Sequence, residues 1–332
     1  MKNNELSALN ICQVALVGDL PIIKENIKEF NKYYSNVNFF LICPSKELNV
    51  FSKLKSNKIF IINEDSIISY KKFYKISKSK LRKSNYDKII QKRLKWYYQQ
   101  VLKISFIVNF FLKNNENIII WDADTIILKK IIFFKNDVSV KYGITKYFHR
   151  AYYLTNKKIF GYYPHYFLSF LMQFIAISKS ENNFLILNLD KYIRKSRMQV
   201  GEWITKIVMK SFVSAHKIYN GSMFSEYEMI GFSNIFYKYT NQKIIKGFRD
   251  HLNGKLSIFQ KVILRFFDYK FIAYEHSHQN QNSQGMLKRT QTYYVFLKLL
   301  LNSLSNNYFR KLRHYYYLVT IRSRSKKKFL YR

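Results

Sequence analysis

Cysteine, proline and glycine are scarce in this chain, and each shortage excludes an architecture. The 332 residues include only two cysteines, Cys12 and Cys43, and both lie in apolar runs. Two buried thiols exclude a disulfide framework and indicate a reducing compartment. The three prolines and nine glycines nowhere gather into a flexible linker. We therefore expect a compact architecture rather than domains joined by extended segments.

Long hydrophobic runs are missing as well. No stretch reaches the roughly 18 uninterrupted apolar residues that a membrane-spanning helix needs. The first residues, MKNNELSALNICQVALVGD, lack a sufficient apolar core for a signal peptide. The sequence therefore predicts neither feature, and we expect a soluble or peripheral cytoplasmic protein.

Acidic residues are few relative to basic ones. The chain has 57 Lys and Arg against 20 Asp and Glu, a formal net charge of +37. Such a charge attracts nucleic acid, anionic lipid headgroups or phosphorylated ligands. The excess runs through the whole chain. The abundance of Lys, Asn and Ile also fits an AT-rich genome, which weakens the charge as a functional signal.

Short apolar runs alternate with polar helical stretches in the first third of the chain. Strands are predicted at 12–18, 38–44 and 58–64, and a fourth within 117–128 that ends at the aspartates. Helices are predicted at 21–34 and 88–112, and a helix running into a strand at 167–181. Near-continuous apolar strands alternating with helices predict an α/β fold with a mostly parallel sheet flanked by helices. In such sheets ligands bind beyond the carboxyl ends of the strands.

Acidic residues follow three of the predicted strands at that edge: Asp19, Asp65 and the pair Asp122 and Asp124. Carboxylate oxygens are the ligands that Mg²⁺ and Mn²⁺ prefer, and such a metal neutralises the charge on a leaving diphosphate. The pair therefore predicts a metal site, with Asp19 and Asp65 near the base or ribose of a nucleotide. The alternative is that the pair only caps a turn.

The helix before the aspartates carries a polar stripe opposite its apolar face. Lys92, Trp96, Gln99 and Lys103 share that side at helical spacing. An exposed stripe of cations, an indole and an amide predicts contacts to a phosphate or a sugar. The alternative is a solvated face with one stray tryptophan.

Two later segments supply further candidates. In SEYE, Ser225 and Glu228 fit a capping box at a helix start, and Glu226 or Glu228 alternatively serves as a catalytic base. In YEHSHQNQ, His276 and His278 are two residues apart and so share a face of a strand, where either is a candidate metal ligand.

Taken together, the motifs resemble a family. They are W-Y-x-Q-Q-x-x-K at Trp96, Tyr97, Gln99, Gln100 and Lys103, D-x-D-T at Asp122, Asp124 and Thr125, S-E-Y-E at 225–228, and a late histidine. This ordered set, over roughly residues 10–280, resembles a bacterial family of GT-A-type glycosyltransferases found in surface-polysaccharide gene clusters, which make capsule, O-antigen or lipooligosaccharide.

The resemblance implies a GT-A-like Rossmann-type sheet and roles for the motif residues. Asp122 and Asp124 would bind the metal and the nucleotide-sugar, and the tryptophan, glutamine and lysine motif would contact the donor. Glu226 or Glu228 would lie near the acceptor, and His276 or His278 would complete the metal site. One departure from the family is Trp121 with Ala123, where smaller or polar residues are expected, and we expect it to affect sugar preference.

The predicted function follows from this set. We expect a Mn²⁺- or Mg²⁺-dependent hexosyltransferase that moves a sugar from a nucleoside diphosphate sugar, with UDP-sugar favoured, to a glycan or lipid-linked glycan acceptor. Glu228 is the first candidate base and Glu226 the second. The competing prediction is a basic nucleic-acid-binding protein or a metal-dependent nuclease, although no zinc-ligand spacing, RNP-like run or recognition helix occurs.

The C-terminal part differs in composition from the rest. From residue 256 onward the chain is basic and aromatic, and residues 287–332 carry twelve basic residues and no acidic one. We predict a catalytic domain over 1–285, with a nucleotide-binding half at 1–135 and an acceptor half at 136–285, followed by a basic helical tail over 286–332. Its apolar surface flanked by Lys and Arg predicts attachment to the anionic inner face of the bacterial inner membrane; the alternative is packing on the catalytic domain.

Overall fold

The computed structural model describes residues 8–80, 92–143, 149–161, 169–181, 199–212, 222–235, 241–250 and 256–274. The strands are β1 (Leu9–Val14), β2 (Val37–Cys43), β3 (Ile59–Asn63), β4 (Ile118–Trp121), β5 (Thr125–Ile127), β6 (Phe134–Lys135), β7 (Val138–Gly143), β8 (Phe174–Ile177), β9 (Asn241–Ile244), β10 (Gly247–Asp250) and β11 (Phe271–Tyr274). The helices are α1 (Leu20–Tyr33), α2 (Leu48–Phe51), α3 (Tyr70–Lys80), α4 (Leu94–Asn114), α5 (Arg150–Phe160), α6 (Val200–Ser211), α7 (Glu226–Ile235) and α8 (Ile258–Phe266).

A five-stranded sheet in the order β3-β2-β1-β4-β8 forms the centre of the fold. Strands β1 to β4 run parallel, and β8 pairs antiparallel with β4 at one edge. Two three-stranded sheets accompany it, in the orders β10-β11-β5 and β6-β7-β9. The predicted mixed α/β class, with a mostly parallel sheet flanked by helices, is confirmed.

The central sheet separates two apolar cores because successive side chains of a strand point to opposite faces. Cys12, Ile118 and Ile120 contribute to one core, and Ile119 and Trp121 to the other. Helices α3, α4, α6 and α7 supply the first core, and α1 supplies part of the second. Strands with apolar residues on both faces are therefore required, which explains why their sequences are near-continuous apolar runs.

Local sequence explains the ends of the two helices nearest the predicted site. Pro21 lies in the first turn of α1, where its missing amide hydrogen costs nothing. Helix α4 ends at Asn115, whose left-handed backbone (φ 49°) is a conformation that asparagine tolerates. In the part of the chain that the structure describes, no helix is long and apolar enough to cross a membrane.

The structure corrects two predicted elements. The first predicted strand, expected at 12–18, is found at Leu9–Val14, and Val17–Asp19 form a short 3-10 helix instead. The strand within 117–128 ends at the aspartates as predicted, because the backbone turns at Asp122, where the Thr125 amide donates to the Asp122 carbonyl oxygen (3.1 Å); residues 125–127 form the separate strand β5. The helix predicted to precede β8 is wrong for residues 169–173, which are not helical. The remainder of that predicted helix lies outside the described residues.

The chain divides into two units, residues 1–249 with 256–273 and residues 250–255 with 274–332. Apart from the last residue of β10 and of β11, every element above belongs to the first unit. The predicted domain boundary at residue 285 and the predicted tail over 286–332 lie outside the described residues, and both stay predictions.

Trp121 is a core residue rather than a sugar contact. Its side chain is fully buried, its indole nitrogen donates to the Thr125 carbonyl oxygen (2.8 Å), and its ring stacks on Phe174 at 5.0 Å between centroids. Phe30 meets the same ring edge-on at 4.9 Å. The Trp121 side chain therefore fills the second core, and the expected effect of this position on sugar preference stays a prediction.

This position yields a stability prediction. Replacement of Trp121 by alanine should lower the free energy of unfolding by about 3–5 kcal/mol, because it leaves a large cavity in the core. Trp96, which is 36% exposed, provides a matched control, and Trp96→Ala should have a much smaller effect. Urea unfolding of both variants measures the difference. Equal losses at the two positions would contradict the assignment of Trp121 to the core.

Candidate active site

Acidic side chains gather at the carboxyl ends of the parallel strands. Asp19 follows β1, Glu47 follows β2 and Asp65 follows β3. The loops are tied together, since the Val17 amide donates to a Glu47 carboxylate oxygen (2.8 Å) and the Ser45 hydroxyl donates to the carboxylate of Asp65. The predicted acidic edge is therefore present as a linked set of loops.

The turn after β4 holds the aspartate pair in a fixed backbone conformation. The Asp122 amide donates to the Gln173 carbonyl oxygen (2.9 Å), and the amide group of the Gln13 side chain lies 3.5 Å from the Asp122 carbonyl oxygen. The Thr125 hydroxyl donates to a carboxylate oxygen of Asp124 (3.1 Å). Both carboxylates thus lie at the end of a buried strand, as the sequence predicts.

A buried lysine connects this turn to two helices. Lys103, on α4, is 7% exposed, and its ammonium donates to Asp122 Oδ1 at 2.5 Å and to Glu226 Oε1 at 2.7 Å. The hydroxyl of Tyr227 also donates to Asp122 Oδ1. The Lys103 nitrogen lies 4.9 Å from the centroid of the Tyr227 ring, within cation–π range. We call Lys103, Asp122, Glu226 and Tyr227 the lysine cluster.

Burial and ion pairing shift the pKa values of the charged residues of the lysine cluster in opposite directions. Burial by itself lowers the pKa of Lys103, but Asp122 and Glu226 raise that pKa by more, so the ammonium is held charged. Burial raises the pKa of Glu226 above its ordinary value; Lys103 lowers this pKa and Asp122 raises it. Burial, Asp122 and Glu226 together raise the pKa of Tyr227, which keeps its hydroxyl as a donor.

Among the described residues Asp124 forms no ion pair. Burial raises the pKa of its carboxyl to about 7, the negative charges of Asp122 and Asp19 add to this effect, and the charge of Lys103 lowers the pKa slightly. The contribution of Asp19 shows that the ends of β1 and β4 act on the same charge. Asp124 is therefore a carboxylate whose ionised form a bound cation would stabilise.

The two glutamates of the SEYE segment have different surroundings. Glu226 shares Lys103 with Asp122, whereas Glu228 accepts hydrogen bonds from the Ser169 hydroxyl and from the Phe170 amide (3.2 Å). The Ser225 hydroxyl lies 3.4 Å from the Glu228 amide, as at a capped helix start. Glu226 is therefore the glutamate joined to the aspartate turn.

The polar stripe of α4 is only partly exposed. Trp96 is at the surface, where the guanidinium of Arg93 lies 5.5 Å from its ring centroid, and Gln99 is half-buried. Lys103 was expected in this exposed stripe, and that expectation is wrong because the lysine turns inward to the two carboxylates.

Gln100 is buried one turn before Lys103. Its side chain is 1% exposed, and neither its amide oxygen nor its amide nitrogen has a hydrogen-bond partner among the described residues. Unpartnered buried amides are rare in folded proteins. Gln100 is therefore a candidate for contact with a bound molecule.

Sequence reasoning missed Arg93 and the role of Tyr227. Arg93 donates to the Ser222 hydroxyl (2.5 Å). Burial lowers the pKa of the His149 imidazole, and the positive charge of Arg93 lowers it further. Neither residue stands out by spacing, although Tyr227 lies between the two glutamates that do. His276 and His278 lie outside the described residues, and within those residues no group of three or more His, Cys, Asp or Glu is arranged to hold a metal.

The lysine cluster yields a prediction on stability. Lys103→Met should lower the free energy of unfolding by about 3–5 kcal/mol, because it leaves the buried Glu226 and the partly buried Asp122 without their cation. Adding Glu226→Gln should recover part of the loss, since it removes one of the uncompensated charges. Lys95→Met, at an exposed position of the same helix, is the control. Denaturant unfolding measures both variants. If Lys103→Met and Lys95→Met lower the free energy of unfolding equally, the cluster is not a stabilising buried ion pair.

The acidic edge yields a prediction on pH. Burial raises the pKa of Glu64 from 4.5 to about 7, with Asp65 and Glu47 adding to the effect. Because the folded state holds this proton more tightly, the group stabilises the fold below about pH 4.5, and that stability is lost as pH rises to about 7. Glu64→Gln should therefore become more stable than the wild type across this window, as thermal unfolding at several pH values would show. A difference that does not change with pH would contradict this.

Comparison with known proteins gives a family and distant structural neighbours. No curated protein matches the sequence. Among solved structures, an active-site mutant of LgtC, with glutamine replaced by glutamate, matches 85% of this chain and 94% of its own, at 10% identity and a TM-score of 0.42. Residues 15–287 match the model of a family of unknown function, DUF6492. Since this match spans most of the chain, the protein belongs to the DUF6492 family.

Proposed function

We propose that this protein is a metal-dependent glycosyltransferase that moves a sugar from a nucleoside diphosphate sugar to a glycan or lipid-linked glycan. The observation that carries the proposal is the placement of Asp122 and Asp124 at the carboxyl end of β4, near Asp19 in the connection after the neighbouring strand β1. This is the edge of a parallel sheet at which nucleotides bind. The bacterial surface-polysaccharide pathway and the hexosyl class are part of the same proposal.

The residues present suit a divalent cation. Asp124 is a half-buried carboxyl whose pKa is raised by desolvation and by two neighbouring aspartates. A bound cation would relieve the repulsion between these carboxylates. Mg²⁺ and Mn²⁺ at nucleotide sites need only one or two carboxylates, with phosphate oxygens and waters as the other ligands. Asp122 and Asp124 would hold the ion, and His276 or His278 is the proposed additional ligand. When bound, the ion supplies charge stabilisation for a departing diphosphate.

The lysine cluster sets the geometry of this site. Lys103 and Tyr227 both donate to Oδ1 of Asp122, which fixes the orientation of the carboxylate. Oδ2 of Asp122 is thereby left for the proposed cation. Lys103 thereby acts as a positioning residue rather than as a free cation for the diphosphate. A carboxylate oriented in advance reduces the reorganisation that ligand binding requires.

Other side chains of the site have proposed contacts with the donor and the acceptor. Gln100 offers a buried amide with both ends unpartnered among the described residues, which suits the hydroxyls of a sugar. Asp19 and Asp65 are the proposed contacts to the ribose or base, with UDP-sugar favoured, and Trp96 and Gln99 are proposed to line the entrance.

An inverting reaction requires a carboxylate that accepts the acceptor's proton. Glu226 and Glu228 are the two candidates. Glu226 lies in the lysine cluster, whereas Glu228 is held by Ser169 and Phe170, so the geometry favours Glu226 as the nearer to the aspartates. We further propose that the protein acts at the inner face of the bacterial inner membrane, where a lipid-linked acceptor would be reached.

Calorimetric titration tests this function. UDP, GDP and CMP are titrated into the wild type, each with Mn²⁺ and with EDTA, and then into Asp122→Asn/Asp124→Asn. We expect one nucleotide, UDP most of all, to bind only with the metal and not to the double variant, because the metal joins the aspartates to the phosphates. Asp137→Asn is the matched control, since Asp137 is exposed and has a left-handed backbone (φ 58°) that asparagine accepts.

The competing function has a distinct outcome in the same experiment. The net charge of +37 is the observation that favours nucleic acid, and a protein of that kind loses affinity steeply as salt rises. If no nucleotide binds and the protein instead captures single-stranded DNA or RNA in a salt-sensitive way, the transferase proposal fails. The aspartates would then serve only to cap the turn after β4.

A further inference from the structure

Helix α8 is oriented with its apolar side outward. Its exposed side chains are Ile258 (82%), Phe259 (66%), Val262 (50%) and Phe266 (82%). The buried side chains of the same helix include the polar Gln260 and Lys261. A helix on a soluble protein normally buries its apolar side and exposes its polar side. In α8 only Leu264 among the apolar residues is fully buried, and the other buried residues are polar.

The four exposed residues form one continuous stripe. At about 100° per residue, positions 258, 259, 262 and 266 fall within an arc of about 100° on the helix surface. The buried residues, at 260, 261 and 264, fall on the opposite side. Scattered single apolar residues on a surface need no explanation, but a contiguous stripe with two phenylalanines indicates an interaction surface.

Polar contacts hold α8 in this orientation. Lys261 pairs with Glu25, and Arg265 pairs with Glu29 at 2.8 Å and donates to the Leu128 carbonyl oxygen at 3.0 Å. At its start, Ser257 and Gln260 form a reciprocal capping box. These contacts bind the polar side to α1 and the end of β5, which leaves the apolar stripe at the surface.

The surroundings of the stripe are positively charged. Three lysines converge where α8 ends: Lys129 and Lys270 pair with Asp268, and Lys246 donates to the Phe267 carbonyl oxygen (3.2 Å). Two of these lysines share one acidic residue, Asp268, and Lys246 is bound to a carbonyl oxygen, so basic residues are in excess beside the exposed Phe266. Helix α8 itself has two basic residues and no acidic one, and both are paired with glutamates of α1. Apolar residues next to a cluster of lysines suit a surface that is apolar beneath and anionic at its face.

We propose that α8 docks on an anionic lipid bilayer, with Phe259 and Phe266 inserted at the headgroup boundary and the lysine group beside Phe266 contacting the headgroups. Amphipathic helices that lie in the plane of the interface combine these two features. Each basic residue near an anionic surface adds to the attraction, and salt screens it. This surface is separate from the proposed tail contact and does not depend on the proposed transferase activity.

Co-flotation of the full-length protein with vesicles tests the proposal. The vesicles contain phosphatidylcholine alone or with phosphatidylglycerol, and the comparison is between the wild type and Phe259→Ser/Phe266→Ser. We expect binding only with phosphatidylglycerol, weakened by salt. The double variant should bind at least about tenfold more weakly, because two apolar rings that insert have been removed. The control is Val50→Ser/Leu112→Ser, which removes two exposed apolar side chains elsewhere (40% and 58% exposed) and should bind like the wild type.

Three outcomes would overturn the proposal. If the double variant binds phosphatidylglycerol vesicles as well as the wild type does, the membrane contact lies elsewhere. If its thermal unfolding temperature falls well below that of the control variant, the stripe is covered within the folded chain. If the wild type forms a dimer in light scattering that the double variant does not form, the occupant is a second copy of the protein.

Discussion

The site depends on one buried cation. Lys103 lies between Asp122 and Glu226, so a single ammonium joins the middle of α4, the turn after β4 and the start of α7. Burying an ammonium or a carboxylate alone costs much free energy. Here the ammonium pairs with both carboxylates and donates hydrogen bonds to them, which offsets that cost. The arrangement therefore fixes the distance and orientation of three elements at the edge of the sheet where ligands bind.

In the surrounding acidic edge, by contrast, the carboxyl groups lie next to other acidic residues. Asp124 and Glu64 each have a pKa raised to about 7, by burial first and by neighbouring acidic residues next. In a chain with a net charge of +37, neither carboxylate forms an ion pair among the described residues, although Lys103 and Lys46 lower their pKa values to a smaller extent. Such local repulsion reduces stability, and it recurs at sites that bind cations or move protons.

Helix α8 also has an unfavourable feature, because apolar side chains are exposed to solvent. Phe266 and Ile258 are each 82% exposed, while a lysine and a glutamine of the same helix are buried. The ion pairs to Glu25 and Glu29 impose this orientation. The acidic edge and α8 thus share a physical feature, since in both places the isolated chain leaves an interaction incomplete that a ligand or a surface would complete.

The sequence alone determined the elements whose residues carry their own signal. Helix α1 was predicted at 21–34 and found at Leu20–Tyr33, and β2 and β3 were found within one residue of their predicted ends. These predictions succeed because a strand buried on both faces must be apolar throughout, and an amphipathic helix repeats at its own period. The position of the aspartate pair at a strand end follows from the same local pattern.

Only the tertiary structure decided which polar residues are buried and which apolar ones are exposed. Helical spacing places Lys103 on the polar side of α4, yet its partners are 19 and 123 residues away in sequence. The partners of Lys261 and Arg265, which turn the apolar side of α8 outward, are each 236 residues away. Periodicity shows which residues share a face of a helix, but the charges that meet that face are brought there by folding.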